Sequence, residues 1–260
     1  MTLDGNPSLR RVVKGSKDGR YSAVDENTVS MKSMAWKSVL LCVVTIISAV
    51  ASAMLLFHFI DTGNDGALTT LLVILAISAI PLIIISFIIM FVPKTAGVLG
   101  FVYCILEGLV MGVVSALFDL IIPGVALMAF LGTCLVFLVS WAVFRLLGQR
   151  VSGNFVKFVL ISFISLVLLE GLGYLLSLFV PVFEAVMSNI WIQLGISAVM
   201  VLWASFMILV DLNNMKRLEE YGADKQYEWL AAFSLVTTLM WLYLEILELL
   251  VKVFMIAKKD

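Results

Sequence analysis

The sequence predicts an all-α polytopic membrane protein, a bundle of seven transmembrane helices. Three observations carry this. The 260 residues are 62% hydrophobic with only 13% charged and a mean hydropathy of +1.12, whereas a soluble domain is about half apolar and a quarter charged. Apolar runs near the ~20 residues that a bilayer requires recur along the chain. Lys and Arg gather in alternate connections between those runs.

Residues 1–36 are polar and carry Arg10, Arg11, Lys14, Lys17, Arg20 and Lys32. No apolar core follows a short basic start, so no signal peptide is expected, and the segment reads as a flexible basic cytoplasmic tail. The membrane domain is expected over 37–256, with a short tail at 257–260. Spans are expected at about 38–59, 67–92, 96–118, 121–144, 156–180, 190–211 and 229–256. The breaks are Asp61 to Gly66, then Pro93 and Lys94, then Asp119, Pro123 and Gly124. Next come Arg145 to Lys157, then Pro181, Glu184 and Asn189, and last 216–225. The first, third and fifth connections hold acids and no Lys or Arg; the second, fourth and sixth are basic. This places the N-terminus in the cytoplasm and, with seven spans, the C-terminus outside. Lys252, Lys258 and Lys259 run against that, and the rival is six spans with a terminal re-entrant or interfacial helix.

Several function classes are excluded. The net charge of -1 recruits no nucleic acid. No zinc-ligand spacing, P-loop or dinucleotide fingerprint occurs, so no cofactor is expected and the chain reads as a non-enzyme. Cys42, Cys104 and Cys134 lie in separate runs and read as small apolar packing residues. His58 reads as an interfacial packing residue.

The informative residues are acids inside apolar runs, which are costly in lipid and face a protein interior or wet cavity. Glu107 and Glu170 fall mid-span in two similar stretches, ILEGL and LLEGL, and the glycine after each allows a neighbouring helix to approach. Both are expected to point into the bundle, as buried neutral carboxyls or as pore residues. On the last span Ser234, Thr238, Trp241, Glu245, Glu248 and Lys252 share one helical face. Glu248 and Lys252 form an (i, i+4) pair, leaving Glu245 to find a partner on another helix. Asp211 ends the sixth span and on its own reads as a solvated helix-end residue, with Lys216 and Arg217 as snorkelling anchors.

ILVDLNNMKR around 211–216, together with WLYLEILELLVK around 242–245, resembles the Bax-inhibitor-motif transmembrane family in its bacterial branch. EYGADKQYEWLAAF, the LEGL of the third span and NPSLRR near the start resemble an actinobacterial-type subgroup. The resemblance implies a last helix surrounded by the other six and a pH-sensitive calcium leak in a bacterial cytoplasmic membrane. It implies that Asp211 and Glu245 share a proton as the pH sensor and bind calcium transiently. Where the family pattern has an aspartate this chain has Glu245, and the family's gating arginine has no match; Lys94 is the nearest basic residue. Two like charges at a low-dielectric site do not both ionise cheaply, so such a pair titrates as a unit. Its ionised form offers the oxygen ligands that calcium prefers. The expected partners are therefore the bilayer, protons and calcium. The competing readings are a non-conducting protein that modulates a membrane protease or other membrane complex, and a proton-coupled transporter.

One quantity decides whether the pair forms. At ~1.5 Å per residue, Asp211 and Glu245 are level only if the turn between their helices centres near residue 228. If it centres at Gly222, residues near Ser234 face Asp211, and Glu245 meets Glu107 or Glu170 instead.

Overall fold

The computed structural model describes residues 28–258. The described residues form eight α-helices: α1 (Met31–Asp61), α2 (Asp65–Phe91), α3 (Ala96–Ile121), α4 (Val125–Leu146), α5 (Gly153–Ser177), α6 (Pro181–Met187), α7 (Ile190–Glu220) and α8 (Tyr227–Ala257). A 3-10 turn, Pro93–Thr95, joins α2 to α3. Six of these, α1 to α5 and α7, are long and apolar enough to cross a membrane. The seven expected runs are all helical, and the short α6 is an addition. It forms because Pro181 occupies the first helical position, where its missing N–H costs nothing. The helices also outrun their apolar windows: α7 continues nine residues past Asp211, so that acid lies inside a helix rather than at its end.

The last helix is central, but to four helices rather than six. α8 packs on α1, α3, α4 and α7, while α2 lies outside on α1 and α3. α5 packs mainly on α6 and α7 and reaches α8 through Phe163, whose ring meets that of Trp241 at 5.1 Å between centroids. The most extensive contact is α1 against α3. Its cause is a run of small buried residues every fourth position of α3: Ala96, Gly100, Cys104, Gly108, Gly112 and Ala116. A Cβ on Gly108 would lie 2.6 Å from the Thr45 carbonyl oxygen, and one on Gly112 would lie 2.0 Å from that of Ala49. Only glycine lets the two backbones approach this closely. The second expected close approach does not occur: nothing lies within 4 Å of a Cβ on Gly171.

The expected tail over 1–36 falls mostly on residues 1–27, outside the described residues. Its described part is built into the fold. Thr28 pairs with Asp224 as an antiparallel bridge, the Val29 amide donates to the Ala223 carbonyl, and helix begins at Met31. The first turn of α1 contains no acid of its own. The facing ends of α7 and α8 supply two: Glu219 accepts from the Met31 amide at 2.9 Å and Glu228 from the Ser30 amide at 3.1 Å. Carboxylates there satisfy orphan donors and complement the helix dipole.

Candidate functional site

The α7–α8 pair sets the geometry of the acids. α7 ends at Glu220, Gly222 turns the chain at φ +60°, and α8 begins at Tyr227. Two side-chain contacts fix the register of the antiparallel pair. Thr238 Oγ1 donates to Asp211 Oδ2 at 2.6 Å, and Lys252 Nζ donates to Ser197 Oγ at 2.7 Å. The two contacts lie fourteen residues apart on each helix, so the seam keeps one register throughout. In that register Thr238 is level with Asp211, and Ala204 is level with Glu245.

Asp211 and Glu245 are therefore not brought together. Glu245 lies seven residues, about 10 Å along the axis, beyond the level of Asp211. The turn centres between Thr28's partner Asp224 and Lys225 rather than at 228, close to the Gly222 alternative. Asp211 is 4% exposed and accepts from Ser234 Oγ at 2.8 Å as well as from Thr238. No cation contacts it among the described residues. Thr238 Oγ1 also lies 3.1 Å from the Ser234 carbonyl. Its hydrogen thus has a second acceptor when Asp211 carries a proton, and both proton states can be satisfied.

Glu245 finds its partner on its own helix, not on another. Trp241 Nε1, one turn earlier, donates to Glu245 Oε1 at 2.9 Å, and Phe163 braces that indole from α5. The charged groups around Glu245 are Glu248, Glu170 and Lys252. Glu170, on α5, is thus near enough for its charge to act on Glu245. Glu107 is not. It is half-buried and lines a cleft between α2 and α3 with Leu75, Leu82 and Ser86. The LEGL echo thus has no shared environment.

The expected Glu248–Lys252 pair forms at 2.5 Å. Lys252 is 9% exposed and also reaches the Gln193 carbonyl at 3.4 Å. It is a buried ligand of α7, so it carries no weight as a topological signal. Lys94 lies exposed in the 3-10 turn and makes no ion pair among the described residues. A second cation that enters the bundle is Lys37, which bonds Glu228 and covers the Trp229 ring at 4.8 Å. Sequence reasoning missed this group, since neither residue stands out by spacing. It also missed Asn213, 2% exposed, whose Oδ1 accepts from the Val151 amide at 3.0 Å and ties the α4–α5 connection to α7. Among the described residues no group of three His, Cys, Asp or Glu side chains is arranged to hold a metal ion.

A family model described as Bax inhibitor 1 like matches residues 6–254. The chain belongs to the Bax inhibitor 1 like family. No curated protein and no solved structure matches it. Within this Bax inhibitor 1 like chain, Asp211 and Glu245 lie on a common polar seam but about 10 Å apart along the helix axis.

Proposed function

We propose that this protein is a proton-regulated cation leak, with calcium as the ion, in a bacterial cytoplasmic membrane. The observation that carries the reading is Asp211: a buried carboxylate in a membrane helix, held by two hydroxyls and by no cation. A structural acid at such depth is ordinarily paired with a base. Glu245 follows two turns along the same seam, with Glu170 and Glu248 beside it. Asp211 and Glu245 are two separate stations rather than a proton-sharing pair. With protons bound they are neutral and hydrogen-bonded, and they offer a cation little. As pH rises they ionise in turn, and their repulsion and oxygen ligands favour cation passage. Flux therefore rises with pH.

The test is calcium flux against pH in liposomes containing the purified protein. Asp211→Asn and Glu245→Gln are each expected to remove part of the pH response, and the double variant to remove nearly all of it. Because the acids are about 10 Å apart, the two effects should add rather than each abolish the response. Glu248→Gln is expected to leave most of it, since Glu248 is satisfied by Lys252. Loss of the whole response in either single variant would restore the shared-proton pair. Absence of any flux would favour the non-conducting partner reading, and uphill substrate uptake driven by protons would favour the transporter.

A further inference from the structure

α1 and α4 make no extended contact with one another; each rests on α3 and α8. The gap between them is a cavity of about 510 Å³. Its walls are residues 42–53 of α1 and 126–137 of α4, and its floor is 111–115 of α3 and 236–243 of α8. Each wall is a twelve-residue stretch, about 17 Å long, close to the ~15 Å depth of one leaflet of a ~30 Å hydrocarbon core. The lining is almost wholly apolar, and its hydroxyls are occupied. Thr45 donates to the Leu41 carbonyl, Thr133 to that of Ala129 and Ser115 to that of Met111, while Tyr243 and Ser115 bond one another at 2.6 Å. Such a space does not retain water. The residues flanking it, among them Val43, Ile47, Leu131 and Leu138, are large, apolar and exposed, so hydrocarbon is the phase that meets its mouth.

We propose that this crevice is a binding site for one acyl chain of a bilayer phospholipid. The fit is in length, in dryness and in position within the membrane-spanning helices, and no cation stands in the α3–α4 connection to select a headgroup. The chain lies on the face of α8 opposite the polar seam: Val236, Leu239, Met240 and Tyr243 are half a turn around the helix from Ser234, Thr238, Trp241 and Glu245. The site is independent of whether the protein conducts ions.

The experiment uses the full chain in phospholipid nanodiscs containing a phospholipid with a photoreactive diazirine in its acyl chain. After irradiation, labelled peptides are mapped by mass spectrometry. Labelling is expected on the floor, at Leu239 and Met240, several-fold above that on the lipid-exposed faces of α2 and α5. Ala53→Phe with Ala126→Phe fills the crevice and should abolish floor labelling while leaving labelling of α2 and α5 unchanged. Cys134→Trp, at the exposed edge of the same crevice, is the milder variant should the first fail to fold, and should reduce it. Floor labelling no higher than on α2 and α5, or floor labelling unchanged in a folded filling variant, would overturn the proposal.

Discussion

Asp211 is satisfied by side chains that can each be removed alone, which makes its energetics measurable. Thr238→Val deletes the shorter bond and leaves a buried carboxyl oxygen without a donor. The expected loss is about 1–3 kcal/mol, read as a lower unfolding temperature in detergent. Asp211→Asn should cost less, since an amide can still accept from a hydroxyl. Glu228 gives the pH-dependent counterpart. Burial pushes its carboxyl up, but bonds from Lys37, Ser33 and Ser30 more than offset that and hold it below the usual carboxylate range. A depressed carboxylate contributes stability that is present above its ordinary value and is lost as pH falls through the depressed one. Glu228→Gln should therefore weaken hydrogen-exchange protection of the first turn of α1 at neutral pH, and its difference from wild type should shrink in acid. An equal difference at both pH values would show that the carboxylate charge is not what holds that turn. The polar face of α8 was legible in the sequence because its spacing repeats every three or four residues. The partner of each acid was not, because register depends on where a six-residue turn reverses the chain, and no periodicity encodes that.

At the scale of the element, the two glycines that follow mid-span acids behave oppositely, although the sequence around them is nearly the same. The stretch beginning at Gly108 continues to Gly112 and meets backbone carbonyls of α1. Gly171 meets nothing within 4 Å. Gly112→Ala should force α1 and α3 apart and destabilise the protein by about 1–3 kcal/mol, the usual cost of overpacking. Gly171→Ala should be neutral or stabilise by about 0.5–1 kcal/mol, since it only improves helix propensity. Thermal unfolding of the two variants side by side checks both, and equal effects would show that the α1–α3 approach is not set by glycine. Seven of the eight helices were legible because apolar runs of membrane length have few alternatives. The strap at 28–30 and the short α6 were not, because each is stabilised by contacts with distant segments or by a single proline rather than by a run of its own composition.

For the whole molecule the open quantity is how often the chain crosses the bilayer. Among the described residues six helices qualify by length and apolarity, and α8 decides the count. Its 31 residues span about 46 Å, more than the ~30 Å hydrocarbon core. Its contacts with α7 at Asp211–Thr238 and Ser197–Lys252 are separated by about 21 Å along both axes. A re-entrant helix would turn back within that distance, and an interfacial one would lie across α7 rather than along it. α8 therefore reaches the same depth as α7, and if α7 crosses, so does α8. The charges that argued against a seventh crossing are weakened by Lys252, which is spent on Ser197 and Glu248 inside the bundle. We expect the two ends of the chain on opposite faces of the membrane, the N-terminus with the basic second, fourth and sixth connections on the cytoplasmic side. Paired reporters fused to the C-terminus, one active only in the cytoplasm and one only outside it, measure this directly. Activity of the outer reporter alone is the expected result; activity of the cytoplasmic reporter alone would mean that α8 enters and leaves on one side, and the α7–α8 seam would then have to form differently in the membrane.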